Sequence, residues 1–89
     1  MGSNSFLPLG SIVTLYHGTK KIMIIGRLQI EVTTNTLYDY AACYYPEGVL
    51  NPRELFLFNR EDIDQVYYVG MQDQEEFAFL KLLEKQEKE

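Results

Sequence analysis

The sequence predicts a small, mainly β domain: a five-stranded antiparallel SH3-like barrel followed by a C-terminal α-helix. Short apolar runs with the period of two or rich in β-branched residues recur over the first 70 residues, separated by turns that contain Gly, Pro or Asn. No segment between these runs reads as a crossover helix, which favours antiparallel pairing. From Gln72 onward the apolar period changes to that of a helix. A two-layer sheet with the terminal helix across its open face is the competing architecture.

The first two predicted strands form a hairpin. Residues 11–16 alternate as a pleated strand does, and Gly18 follows where the chain reverses. Residues 22–25 are apolar on both faces, which is typical of a strand covered on two sides. Gly26 interrupts this strand and indicates a β-bulge, beyond which apolar and polar residues alternate up to Val32.

Three further strands and one helical turn complete the β part of the chain. In order, they are a strand at residues 37–45, a strand at 54–58, a helical turn at 59–62 and a strand at 65–70. Polar residues 33–36 close the second hairpin, and two prolines keep the loop at 46–53 out of any central strand. Asn59 suits the start of the helical turn, and Gly70 is the exit from the last strand.

The terminal helix is apolar over more of its circumference than a single docking face requires. Phe77, Leu80 and Leu83 lie on one stripe, and Phe79 lies on a neighbouring one. We therefore expect the helix to contact its own domain and a partner. Glu84 with Lys88, and Lys85 with Glu89, stand at the four-residue spacing of ion pairs. The predicted organisation is a disordered start at 1–6, a barrel at 7–71 and a helix at 72–89.

Charge and composition argue against several classes of partner and indicate the compartment. The formal net charge of the 89 residues is −5, which disfavours binding to nucleic-acid phosphates and to anionic membrane surfaces. No apolar stretch approaches the ~20 residues of a membrane helix, and no signal peptide is present. The single Cys43 fits a reducing compartment, so we expect a cytoplasmic protein.

The sequence predicts neither catalysis nor a cofactor. His17 stands at a hairpin tip without a second His or Cys to share a metal, and Cys43 lies on a strand rich in Tyr and Ala, as a small apolar residue does. The acidic residues between positions 61 and 76 lack the spacing of a calcium loop, and no phosphate-binding loop is present. These acidic residues are interpreted as a solvated rim, and complementarity to a basic partner surface is the alternative.

Aromatic and apolar residues are the best candidates for a protein-binding surface. Tyrosine offers a large contact area at a low cost in side-chain entropy, and here the tyrosines neighbour acidic rather than basic residues. A protein partner is therefore expected. The candidate tyrosines are Tyr38, Tyr40, Tyr44, Tyr45, Tyr67 and Tyr68. The predicted contact residues, taken from this set and from the terminal helix, are Tyr38, Tyr40, Tyr44, Phe77, Phe79, Leu80 and Leu83.

Three segments and an acidic helix resemble a small family of domains of unknown function. The segments are PLGSIVTLYHGTKKIMIIGR at residues 8–27, YDYAACYYPEGVL at 38–50 and LFLFNREDIDQVYYVG at 55–70. The family pattern reads PLGSVV, KKLMIIGR, YDY, PEG and FNHEDID, and this chain departs from it at Arg60, where His is common. Genes of the family occur beside LXG toxin genes in the type VII (b) secretion loci of Gram-positive bacteria.

The resemblance implies a non-enzymatic chaperone or targeting factor that binds the helical LXG region of its cognate toxin in the cytosol before export. Other helical accessory proteins are further partners that it implies. The chain has no Trp, and no Tyr is followed four residues later by Asp or Glu, so it lacks the usual export signal of helical type VII substrates. An immunity protein and a homo-oligomeric module, such as a homodimer, stay open as alternatives; a nucleic-acid-binding barrel is third and opposed by the charge.

Overall fold

The computed structural model describes residues 5–88 of the chain. Its elements are β1 (Ile12–Leu15), β2 (Ile22–Glu31), β3 (Thr36–Tyr44), β4 (Phe56–Phe58), a one-turn 3-10 helix (Arg60–Asp62), β5 (Ile63–Tyr68) and α1 (Gln74–Lys88). The side chain of Lys88 and the whole of Glu89 lie outside what the structure describes, and so do the ion pairs predicted for them. Residues 1–4 of the start predicted to be disordered also lie outside it.

The five strands form one antiparallel sheet in the order β4-β3-β2-β1-β5. Successive strands pair with one another except for β5, which returns across the sheet to pair with β1. The mainly β class, the five antiparallel strands and the C-terminal helix are thus confirmed. The closed barrel is not, because β4 and β5 remain the two edges of an open sheet.

A bulge and a left-handed residue divide β2 into two parts. Ile24 pairs with Ala42 and Gly26 with Ala41, so one residue of β2 is left without a partner at the bulge that the sequence predicted. Two residues further on, Leu28 has φ 51°, a conformation that bulky residues rarely adopt. The strand beyond this point is mostly exposed, whereas the part before the bulge crosses the core.

One apolar core joins the N-terminal segment, the sheet and α1. Its buried members are Phe6, Val13, Ile22, Ile24, Tyr40, Ala42, Phe58 and Leu83. The burial of Phe6 corrects the prediction that residues 1–6 are disordered, since its ring packs edge-on against the ring of Tyr40 with centroids 5.9 Å apart. Because Leu83 completes the core, α1 is part of the same folding unit as the sheet.

The buried hydroxyl of Ser11 links the residues just before β1 to the segment that follows β5. Ser11 Oγ donates to the Pro8 carbonyl at 2.7 Å and accepts from the Gly70 N–H at 2.9 Å. A Cβ on Gly70 would lie 2.0 Å from the Leu9 carbonyl oxygen, so only glycine allows this approach. The segment that leads from β5 into α1 is thereby fixed beside β1.

Candidate protein-binding surfaces

An ion pair with very little solvent exposure attaches the first half of α1 to the sheet. The Arg27 guanidinium on β2 donates to the Glu76 carboxylate through both terminal nitrogens, at 2.5 and 2.9 Å. Its Nη1 also donates to the Leu7 carbonyl at 3.3 Å, and the ring of Phe79 lies 5.5 Å from the guanidinium. This bidentate geometry is the stronger kind of charge-assisted hydrogen bonding and fixes the orientation of the helix.

A second arginine attaches the last turns of α1. Arg60 Nη2 donates to Glu87 at 2.6 Å, and Arg60 Nε donates to Asp39 at 3.2 Å. Burial acts to lower the pKa of the Arg60 guanidinium, but Asp39 and Glu87 more than offset it, so the pKa is raised. Arg60 also stacks over the ring of Phe6 at 4.4 Å. The residue at which the chain departs from the family pattern thus has a structural role here.

The outer face of α1 remains exposed and apolar. Phe77, Phe79 and Leu82 are 50, 49 and 59% exposed, whereas Leu80 is half-buried and Leu83 is buried. One face of the helix therefore docks on its own sheet, as the width of the apolar stripe predicted. Contact of the other face with a partner stays a prediction.

This outer face continues into a groove beside the β2–β3 hairpin, here called the hairpin–helix groove. Its volume is about 540 Å³. It is lined by Arg27, Leu28, Ile30, Leu37, Phe79, Leu82, Leu83 and Gln86. Ile30 and Leu37 pair across the hairpin and are both more than half exposed. Two elements that are distant in sequence thus present one apolar surface.

A second cleft lies where β1, β2 and β5 meet the end of β3, and is here called the tyrosine cleft. It has a volume of about 490 Å³ and shares no lining residue with the hairpin–helix groove. Its lining is Gly10, Ile12, Lys21, Met23, Tyr45, Tyr67 and Tyr68. The Lys21 ammonium lies over the ring of Tyr67, 5.1 Å from its centroid.

A family model described as a domain of unknown function, DUF4176, matches residues 6–79. The chain belongs to this family. The DUF4176 match spans all five strands and the first residues of α1, and it ends before Leu82 and Leu83. A search of curated proteins finds no match, and a search of solved structures finds none either.

The structure of this DUF4176 chain corrects two of the predicted contact residues. Tyr40 is 1% exposed and Leu83 is 6% exposed, so neither offers its side chain to a partner. Tyr38 and Tyr44 are half-buried, and the ring of Tyr44 packs edge-on against Phe56 with centroids 5.0 Å apart. The predicted tyrosine face is therefore largely internal, because β3 lies between β2 and β4 and its core face is covered.

Several exposed residues were absent from the predicted surface. These are Ile30, Leu37 and Leu82 in the hairpin–helix groove, whereas Tyr45, Tyr67 and Tyr68 of the tyrosine cleft belong to the wider set of candidate tyrosines but not to the predicted contact residues. In β2, apolar and polar residues alternate beyond Gly26, and this pattern predicted an apolar face that includes Ile30. Such a face at the end of a hairpin is expected to pack against another element or a partner. Nothing in the sequence marks Tyr67 and Tyr68 as neighbours on one surface, because consecutive residues of a regular strand point to opposite faces.

The remaining candidate residues lie in ordinary surroundings. His17 occupies the hairpin turn at φ 70°, and Cys43 is buried in β3. Within residues 5–88 no group of three or more His, Cys, Asp or Glu side chains is placed to hold a metal ion. In that same part of the chain, no helix has the length and apolar character needed to cross a bilayer.

Proposed function

We propose that this DUF4176 protein is a non-catalytic chaperone or targeting factor that binds the helical LXG region of a cognate type VII secreted toxin in the cytosol before export. The hairpin–helix groove is the contact surface. One observation supports the proposal: apolar side chains from α1 and from the β2–β3 hairpin stay exposed side by side although both elements are otherwise folded against the core.

The apolar lining of the groove suits an amphipathic helix. Helix-in-groove recognition places side chains at helical spacing into an apolar channel between two walls. Here Ile30 and Leu37 line the groove from the hairpin, and Phe79 and Leu82 line it from α1. A contiguous apolar surface of this kind on a small protein marks an interaction site more often than a chance exposure.

The double variant Phe79→Glu/Leu82→Glu tests this proposal. Two carboxylates in the groove would lose their hydration on binding, so we expect co-purification with the toxin encoded beside the gene to fall at least tenfold. The circular dichroism spectrum should remain that of the parent, because both side chains are half-exposed. The melting temperature checks that loss of the Phe79 contact with Arg27 leaves the helix docked. Val49→Glu is the matched control, since Val49 is 50% exposed and does not line the groove.

Toxin fragments separate this function from the alternatives. Capture of the N-terminal LXG region supports a chaperone or targeting role, whereas capture of the variable C-terminal toxin domain alone would indicate an immunity protein. Undiminished capture by the double variant would exclude the groove as the contact surface. A mass in solution twice that of the chain, lost in the double variant, would assign the groove to self-association instead.

A further inference from the structure

We propose that the tyrosine cleft is a second binding site, which takes an extended, proline-rich peptide segment with a carboxylate side chain facing Lys21. The site lies apart from the hairpin–helix groove, and its assignment does not depend on the toxin proposal. Its volume of about 490 Å³ falls in the range of clefts that hold ligands. Three tyrosines line it, together with the apolar residues Ile12 and Met23.

A bulge in β5 is what creates the aromatic surface. Val66 pairs with Val13 and Tyr68 pairs with Ile12, so Tyr67 is an extra residue on β5. In a regular strand Tyr67 and Tyr68 would point to opposite faces, but at a bulge two residues stand opposite one. Both therefore line the cleft, and both are more than half exposed.

The charge of the cleft favours an acidic ligand. Lys21 is the one charged residue among those that line it, although the chain carries 13 Asp and Glu residues and only 8 Lys and Arg. The neighbouring Lys20 is paired with Glu47 at 2.8 Å, whereas the Lys21 ammonium lies over the ring of Tyr67, which also lines the cleft. A carboxylate placed there would meet a cation without a competing carboxylate in the lining.

The irregular pairing of β5 favours a polyproline II segment over an added β-strand as the ligand. A partner strand needs a regular row of backbone donors and acceptors along the free edge of β5. Register shifts at Asp64 and Tyr67 in the pairing with β1 break the regular alternation of β5 twice within six residues. We infer that its free edge therefore offers no continuous row of donors and acceptors. A polyproline II segment makes no ladder; it is held by apolar rings that dock between aromatic side chains, and little conformational entropy is lost because it is already extended.

Three synthetic peptides with blocked ends test the proposal on the full chain. The first has the sequence Ala-Pro-Pro-Leu-Pro-Glu-Pro, the second replaces Glu with Lys, and the third, Ala-Thr-Val-Leu-Thr-Glu-Val, keeps the charge but favours a strand. Titrations followed by amide NMR shifts should show binding of the first peptide, with the largest shifts at Gly10, Lys21 and Tyr68. We expect the second and third peptides to bind at least fivefold more weakly.

Matched variants identify the residues involved. Tyr67→Ser should weaken the first peptide at least tenfold, whereas Tyr16→Ser should not, although Tyr16 and Tyr67 are 57 and 56% exposed. Lys21→Gln should remove the preference for Glu over Lys in the peptide, whereas Lys20→Gln should preserve it. All four sites are exposed, so the fold is expected to persist and is checked by the amide spectrum.

Three outcomes would overturn the proposal. The first is a Kd weaker than about 1 mM for all three peptides. The second is equal affinity of the Tyr67→Ser variant and the parent, or shifts confined to the hairpin–helix groove. The third is tighter binding of the strand-forming peptide, which would assign the free edge of β5 to strand addition.

Discussion

Tyr40 contacts both the apolar core and the N-terminal segment. Its ring packs against Phe6 and Phe58, with centroids 5.9 and 5.5 Å away. Its hydroxyl oxygen accepts a hydrogen bond from the Leu7 N–H at 2.8 Å. Burial raises the pKa of the Tyr40 phenol above 10, and the Leu7 hydrogen bond opposes this only in part. The folded protein therefore favours the neutral phenol.

Tyr40→Phe is predicted to destabilise the protein by about 1 kcal/mol at pH 8, because the Leu7 N–H loses its acceptor. The raised pKa adds a pH dependence. In the parent, the stability that comes from a neutral Tyr40 is fully present below pH ~10 and is lost as the pH rises through the folded-state pKa. The Tyr40→Phe variant has no such loss. The difference in unfolding free energy between the parent and this variant should therefore become smaller above pH ~10.

Urea denaturation of both proteins at pH 8 and at pH 10.5 measures this difference. Tyr16→Phe is the control, because Tyr16 is exposed and takes no part in the core around Tyr40. A difference between parent and Tyr40→Phe that stays constant over this range would contradict the argument.

At the scale of elements, α1 depends on its attachments. An isolated helix of 15 residues is marginal in water, so its stability comes from docking. Leu83 supplies an apolar anchor within the core, and the Arg27–Glu76 and Arg60–Glu87 pairs hold the helix on either side of it. These contacts also fix the position of Phe79 and Leu82 in the hairpin–helix groove.

Glu76→Gln should destabilise the protein by about 3 kcal/mol, since Arg27 would remain buried without its counter-charge. The double variant Arg27→Met/Glu76→Leu should lose much less, because apolar side chains of similar size need no desolvated partner. Chemical denaturation measures both. Glu47→Gln, which breaks the exposed pair with Lys20, serves as the control and should leave the midpoint unchanged. Equal losses in the single and double variants would contradict this argument, because the cost of Glu76→Gln would then not come from the unpaired charge of Arg27.

At the scale of the whole molecule, the sheet and α1 form one cooperative unit. The sheet is open, and its core face is completed by Leu83 and by the half-buried Leu80. A chain of this size has one modest core and a small free energy of unfolding. Removal of the helix would expose part of that core to water.

A chain that ends at residue 71 is accordingly predicted not to fold to a fixed structure. It should lose its near-UV circular dichroism and bind a hydrophobic dye, as loosely packed states do. Full-length Leu82→Ala is the control, because it trims an exposed side chain and leaves the docked face intact. A well-dispersed NMR spectrum of the shortened chain would show that residues 5–71 fold alone.

The sequence by itself determined the elements and their order. Period-two runs, turn residues and the switch to a helical period are local signals, and they located five strands, the 3-10 turn after Asn59, the bulge at Gly26 and the terminal helix. They also indicated that α1 has more apolar surface than one docking face uses. Local signals suffice for these features because backbone sterics and side-chain alternation act over a few residues.

Only the tertiary structure decided which apolar side chains are inside and whether the sheet closes. The pairing of β5 with β1 brings together residues about 50 positions apart, and its register shifts place Tyr67 and Tyr68 on one surface. Tyr40 became a core residue because Phe6 and Phe58, distant in sequence, meet on its ring. Such contacts depend on register between distant segments, which the composition and period of either segment alone do not specify.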